Sequence, residues 1–195
     1  YSCHVLRAYV LLKTRPFSDV LPVLTQAFNL GSQHDIFYTY ESWLPSILAP
    51  LCAHAIEEDI EIDYVRQLIQ AKKLMLDAIT AGTLNWPWPI RIQTLGSFHI
   101  ITETGPVTFK RKAPLTPLRL LKLLISLGGQ NISLTRLADD LWPDAEGDAA
   151  YRSILTNLAR LRKLLGREDA LRVQGGVLSL NTCLCWVDSL AFEYM

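Results

Sequence analysis

The pattern of apolar and polar positions changes along the chain. In the first part, apolar residues recur at the three- and four-residue spacing of helices that bury one face, as in "VLRAYVLLK". Later, stretches typical of strands appear, the first being "IRIQTLGSFHII". Between the two parts, Pro87 and Pro89 bracket Trp88, and each proline disfavours helix in the residue before it. We therefore predict two domains, residues 1–86 and 87–195.

The first domain is predicted to consist of short helices. "RPFSDVLPVLTQAFNLG" begins with a proline that suits a first helical turn, and it ends at Gly31. "SWLPSILAPLCAHAIEE" and "DYVRQLIQAKKLML" repeat the helical spacing. Short helices joined by brief turns are typical of tetratricopeptide-like repeats, of which this length would hold about two. The pattern leaves open whether they form a peptide-binding groove or a small helical cap or connector.

The second domain opens with strands, and two helices follow. For the first helix, "LTPLRLLKLLISLGG", Thr116 suits the N-cap, Pro117 the first helical position and Gly128 the C-terminal stop. After a short strand, Ser133 suits the N-cap of a second helix, which is expected to end at Trp142 because a proline follows.

A third helix and a hairpin complete the second domain. The helix is expected at about 148–166, and the hairpin at 171–181, where Gly175 and Gly176 supply the positive φ angles of a tight turn. Three helices with a C-terminal hairpin and preceding strands predict a winged helix-turn-helix with an N-terminal antiparallel sheet. The expected fold class is therefore α+β, mainly helical with small sheets, in which a helical-repeat-like half precedes the winged helix.

The third helix carries a one-sided charge pattern. Its stretch "YRSILTNLARLRKLLGR" contains five basic residues and no acidic one. At about 100° per residue, four apolar positions fall on one line that is expected to face the core: Ile154, Leu158, Leu161 and Leu165. The opposite arc holds basic residues and a threonine: Arg152, Thr156, Arg160, Lys163 and Arg167. Asn157 is expected at the edge of this arc.

This arc predicts contact with double-stranded DNA. Guanidinium groups fit phosphate oxygens and guanine edges, and Thr156 suits a phosphate or a thymine methyl group. In such a domain the third helix lies in the major groove, and the wing reaches the backbone or the minor groove. We therefore expect Arg172 of the wing, and Lys110 and Arg111 before the first helix, to add contacts with DNA.

The charge balance keeps a second function open. The chain has 19 Lys and Arg against 19 Asp and Glu, a net charge of zero. Residues 1–86 carry 6 basic against 9 acidic residues, and residues 87–195 carry 13 against 10. This small positive excess is low for a dedicated DNA-binding domain. The alternative is a protein-interaction module, built from the winged helix and the helical repeats, that does not read DNA directly.

Other function classes find little support in the residues. No catalytic triad, paired-carboxylate site or cluster of metal ligands stands out, so we expect no enzyme activity, no metal and no cofactor. There is no run of about 18 apolar residues and no signal peptide, so we expect a soluble cytoplasmic protein with no membrane partner. Because a helical pattern is already running at Tyr1, the chain is expected to be the C-terminal part of a longer protein.

Several motifs resemble a known family. The segments "LADDLWPDAEGDAA" and "LARLRKLLG" are the most specific, and the similarity covers about residues 88–195. This region resembles the OmpR/PhoB-type winged-helix DNA-binding domain, in the version of bacterial transcriptional activator domain proteins that include SARP-type activators. The segment "APLCAHAIEEDIEIDYVRQLI" is less specifically similar to the end of the tetratricopeptide-like region of MalT-like signalling ATPases.

The resemblance implies sequence-specific binding to promoter DNA and activation of transcription. It also implies an ATPase module among upstream domains of the same protein, although the chain itself has no G-x-x-x-x-G-K-[ST] phosphate loop. In the family, the loop between the second and third helices contacts RNA polymerase, which implies the same role for Asp144 and Glu146. Unlike in SARP-type activators, the helical region here precedes the winged helix.

Overall fold

The chain divides into two compact units, Tyr1–Pro87 and Trp88–Met195, one residue away from the predicted boundary. The computed structural model describes five stretches of the chain: residues 1–38, 44–76, 85–109, 114–144 and 147–193. These stretches contain eight α-helices and two small sheets, which confirms the predicted α+β class.

The first unit contains four described helices. They are α1 (Ser2–Thr14), α2 (Phe17–Gln33), α3 (Pro45–Glu57) and α4 (Ile62–Lys72). Helix α1 packs on α2 and α3, and α3 packs on α4. Gly31 allows α4 to come close to α2, because a Cβ atom at this position would overlap with the hydroxyl group of Tyr64.

Helix α4 ends earlier than its apolar pattern predicts. The pattern continues to Leu76, but the helix stops at Lys72 because Lys73 adopts a left-handed conformation with φ of 50°. The main-chain N–H of Leu74 then donates to the carbonyl oxygen of Ile69 at 3.0 Å. This bond satisfies a carbonyl group that the helix end would otherwise leave without a partner.

The second unit alternates strands and helices. In chain order its elements are β1 (Ile90–Gln93), β2 (His99–Thr102), β3 (Gly105–Pro106), α5 (Leu115–Ser126), β4 (Ile132–Ser133), α6 (Leu134–Leu141), α7 (Gly147–Leu165), β5 (Leu171–Gln174), β6 (Val177–Leu180), β7 (Cys185–Val187) and α8 (Asp188–Glu193). A single 3₁₀ turn, Glu168–Ala170, precedes β5. The predicted order of strands, three helices and a hairpin is confirmed, whereas β7 and α8 were not predicted.

This unit contains two small sheets. The first has the order β3-β2-β1-β7, in which β1 pairs antiparallel with β2 and parallel with β7. The second has the order β4-β6-β5. The β5–β6 hairpin turns at Gly175 and Gly176, whose φ angles of 57° and 78° confirm the predicted tight turn.

The C-terminal end of α5 agrees with the prediction, whereas its N-terminal end does not. Gly128 follows the helix with φ of 90°, so it ends α5 as predicted. The N-terminus differs, because the helix already begins at Leu115 after Pro114. Thr116 therefore lies inside the first turn and is not the N-cap, and Pro117 is the third helical residue and not the first.

Asp188 connects the start of α8 to the end of β1. Its Oδ1 atom accepts hydrogen bonds from the main-chain N–H of Thr94 at 2.7 Å and from the Thr94 hydroxyl at 2.6 Å. Its Oδ2 atom accepts one from the N–H of Leu95 at 3.0 Å. Burial alone would raise the pKa of this carboxyl group, but the hydrogen bonds outweigh burial and hold the pKa below its ordinary value of 3.8. The fold therefore favours the ionised form.

Replacing Asp188 by asparagine is expected to destabilise the protein by about 1–2 kcal/mol at neutral pH, because an NH₂ group then replaces one of the accepting oxygens. Since the pKa is lower in the folded than in the unfolded state, the wild type has this advantage above about pH 4. The advantage is lost as the pH falls through the folded-state pKa. Urea unfolding of both proteins at neutral and acidic pH measures the effect, and a difference that is undiminished in acid would contradict it.

Candidate nucleic-acid interface

Helix α7 has a buried side and an exposed side. The predicted core line is confirmed by four residues with 2% or less of their surface exposed: Ile154, Leu158, Leu161 and Leu165. These side chains belong to the hydrophobic core that α7 shares with α5 and α6. Four exposed side chains on the other side form what we call the basic face: Arg152, Thr156, Arg160 and Lys163. Inner packing thus fixes the direction in which the basic face points.

Hydrogen bonds along the helix orient two members of the basic face. The Nε atom of Arg152 donates to the carbonyl oxygen of Asp148 at 3.2 Å. The hydroxyl of Thr156 donates to the carbonyl oxygen of Arg152 at 3.0 Å. A guanidinium group has five N–H donors, so Arg152 keeps donors for an acceptor outside the protein.

The two other members of the basic face have uncompensated charges. Arg160 and Lys163 are exposed, and neither forms an ion pair within the part of the chain that the structure describes. The acidic residue on the same side of α7 is Asp148, which lies in the first turn, about three turns from Arg160. The basic face therefore presents positive charge that is free to attract an anion.

Asn157 corrects the expectation that it lies at the edge of the exposed arc. Only 7% of its surface is exposed, and its Nδ2 atom donates to the carbonyl oxygen of Ser153 at 2.8 Å. Its Oδ1 atom is buried without a hydrogen-bond partner among the described residues. Asn157 thus lies on the core side of α7, where its side chain is closed to DNA.

Two further arginines of this region are engaged within the unit. Arg167 pairs with Glu103 at 3.2 Å and with Asp169 at 3.3 Å, so two carboxylates compensate its charge. Arg162 donates two hydrogen bonds, at 2.8 and 3.3 Å, to the carbonyl oxygen of Leu171 at the start of β5. These contacts make Arg162 a link between α7 and the hairpin, and they leave Arg167 less available to DNA than the basic face.

The hairpin presents a polar outer surface. Arg172 of β5 is exposed and lies opposite Ser179 of β6. Together with Asn131 and Gln174, these residues line a shallow hollow on the sheet. The remaining predicted cations, Lys110 and Arg111, lie outside the described residues.

Acidic side chains precede α7. Asp139 and Asp140 at the end of α6, and Asp144 in the loop after it, are exposed, and Arg136 pairs with Asp140 at 4.0 Å. Glu146 lies outside the described residues. The unit therefore carries an acidic surface separate from the basic face, which accounts for its small net charge.

The structure exposes two apolar residues on α7 that sequence reasoning did not single out. Tyr151 is 43% exposed and Leu155 is 42% exposed. They lie one helical turn apart, between the core line and the basic face, on the same side of α7 as Arg162. We call these two side chains the apolar flank. A helical projection could have separated Leu155 from the core line, because it lies about 60° from Leu158, but not Tyr151, which lies about 20° from Leu158.

Other reactive chemistry is sparse among the described residues. None of their His, Cys, Asp and Glu side chains form a group of three that could hold a metal ion. Burial raises the pKa of the Cys185 thiol to about 12, and it also raises the pKa of Cys52 strongly. Both thiols therefore remain protonated and unreactive at neutral pH. None of the helices in the described stretches is long and apolar enough to cross a membrane.

No protein-family model, no curated protein and no solved structure matches the chain.

Proposed function

We propose that the chain belongs to a bacterial transcription regulator, and that its second unit is a winged-helix domain that binds double-stranded promoter DNA. The observation that carries this proposal is the basic face of α7, whose charges point away from the core. Arg160 and Lys163 are exposed and have no ion-pair partner among the described residues. A polyanion with regularly spaced phosphates suits such a surface.

The dimensions of α7 suit the major groove. Its 19 residues give a length of about 28 Å, and a helix of about 10–12 Å diameter fits a groove about 12 Å wide. Arginine forms paired hydrogen bonds with guanine, and lysine neutralises phosphate as a point charge. In this proposal Arg152, Thr156, Arg160 and Lys163 enter the groove, and the inner line of α7 holds the helix on its core.

The β5–β6 hairpin is the wing of this domain in our proposal. It follows α7 directly, and Arg162 ties its first residue to the helix through two hydrogen bonds. Such a link would hold the wing at a constant distance from the groove-binding helix. Arg172 of the wing then contacts the DNA backbone or the minor groove.

The proposal also assigns roles to the acidic loop and to the first unit. The exposed carboxylate of Asp144 is suited to a basic protein surface, and we assign it to contact with RNA polymerase during activation. The four helices of the first unit would be tetratricopeptide-like repeats that connect or sense a signal. A promoter-binding regulator in a bacterium acts in the cytoplasm, which is the proposed location.

A protein-interaction module is the second candidate function. The apolar flank of α7 favours it, because exposed tyrosine and leucine side chains are common in protein interfaces. Such a module would retain a protein partner and would not retain DNA in a salt-sensitive manner.

Selection of bound duplexes from a random DNA pool tests the proposed function. The whole chain is immobilised, and bound duplexes are amplified through several rounds. Enrichment of one sequence family would support the proposal, because phosphate contacts alone select no sequence. Retention of all duplexes without enrichment would contradict sequence-specific binding, and no retention at low salt would favour the protein-interaction module.

A further inference from the structure

The apolar flank of α7 remains partly exposed in the folded unit. The core line of the same helix is 2% exposed or less, whereas Tyr151 and Leu155 leave more than two fifths of their surfaces open. Neither side chain belongs to the hydrophobic core cluster of the unit. Two adjacent apolar side chains beside four polar ones give the outer side of α7 two chemically different halves.

The position of Leu155 relative to the basic face determines which part of the DNA it would contact in the proposed complex. At about 100° per residue, Leu155 lies about 60° from Arg152 around the helix axis and in the next turn. A helix in the major groove turns a broad part of its circumference toward the base edges. If Arg152 enters the groove, Leu155 therefore faces base edges on the neighbouring side of the helix.

The major groove offers one apolar group to such a side chain. The base edges there carry hydrogen-bond donors and acceptors, apart from the C5-methyl group of thymine. A leucine set against a cytosine amino group would bury that polar group without a partner, which is unfavourable. A leucine set against a thymine methyl group buries apolar surface on both sides.

We infer that Leu155, flanked by Tyr151, contacts a thymine C5-methyl group and so specifies thymine at one or two positions of the bound DNA. This inference rests on the proposed function and names a determinant of its specificity. The members of the basic face would supply affinity and contacts with phosphate and guanine, and the apolar flank would supply discrimination against cytosine.

Replacing thymine by deoxyuridine in the enriched duplex tests this contact, because the change removes only the methyl group. Each thymine is replaced in turn, and the dissociation constant is measured by fluorescence anisotropy with the whole chain. The wild type is expected to bind about fourfold more weakly at one or two positions, the effect of losing one buried methyl contact. Leu155→Ala is expected to bind the thymine and deoxyuridine duplexes equally at these positions.

Two further variants separate this role from a structural one. Leu155→Met keeps an apolar side chain of similar volume, so it should retain the preference for thymine. Leu6→Ala makes the same change as Leu155→Ala at a matched exposure of 41% in the first unit, and it should leave the preference unchanged. Circular dichroism checks that each variant is folded.

The outcomes distinguish this inference from the function on which it rests. If a duplex is enriched but the wild type tolerates deoxyuridine at every position, the methyl contact is wrong and DNA binding stands. A preference for thymine that survives in Leu155→Ala would also overturn the role of Leu155. If no duplex is enriched, the proposed function itself fails, and the inference fails with it.

Discussion

Replacing Arg160 and Lys163 together by glutamate is expected to weaken binding to the enriched duplex by on the order of a hundredfold or more. The change removes two positive charges that face the DNA in the proposed complex and introduces two negative charges in their place. Both side chains are exposed and without ion-pair partners among the described residues, so the stability should fall by only about 1 kcal/mol, mainly because Lys163 lies in the last turn of α7, where a negative charge is unfavourable. Fluorescence anisotropy measures the affinity, and thermal unfolding measures the stability.

A matched control separates the basic face from the general charge of the unit. Arg119→Glu with Lys122→Glu on α5 makes the same change in net charge at exposed positions of another helix. This control should lower the affinity only slightly, because screening weakens charges that lie away from the contact. Equal losses in the two double variants would show that no particular face binds DNA. An unchanged affinity of Arg160→Glu with Lys163→Glu would remove the basic face from the interface.

Replacing Leu161 by alanine is expected to cost about 2–5 kcal/mol of folding free energy, because its side chain is fully buried and the change leaves a cavity. This is a large fraction of the stability of a typical domain, about 5–15 kcal/mol. Affinity for DNA should fall only as far as the folded population falls, since the exposed side chains are untouched. Urea unfolding with anisotropy at low denaturant measures both quantities.

Leu155→Ala is the matched control on the same helix. Leu155 is 42% exposed, so the same substitution there should change the stability by less than about 1 kcal/mol. Comparable losses of stability at Leu155 and Leu161 would contradict the division of α7 into a core side and an exposed side.

Local sequence patterns predict much of the second unit. The apolar spacing of α7 identified four of its five core residues, all except Ala150, and the helix extends over Gly147–Leu165 against an expected 148–166. Gly175 and Gly176 predicted the hairpin turn because few other residues adopt positive φ angles. Features set by neighbouring residues were thus accessible from the sequence alone.

Features that depend on distant contacts were missed. Strand β7 has only three residues, and its partner β1 precedes it by about 95 residues. No local sequence pattern therefore predicts this strand. Asn157 was expected at the edge of the exposed arc, but tertiary packing buries it beside the core line. The ion pair between Arg167 and Glu103 also required the fold, since the two residues lie far apart in the sequence. Helical spacing alone therefore overestimates the set of residues available to DNA.

The salt dependence of binding to the enriched duplex is the most direct measurement of the central claim, that the basic face and the wing bind DNA. Among the described residues, the proposed DNA-contact surface of the second unit has four exposed cationic side chains: Arg152, Arg160, Lys163 and Arg172. If each neutralises one phosphate, the logarithm of the binding constant should fall with the logarithm of salt concentration with a slope of about −3.6. Raising the salt fourfold should then weaken binding by roughly a hundredfold. An affinity that is independent of salt, or no binding even at low salt, would contradict the account.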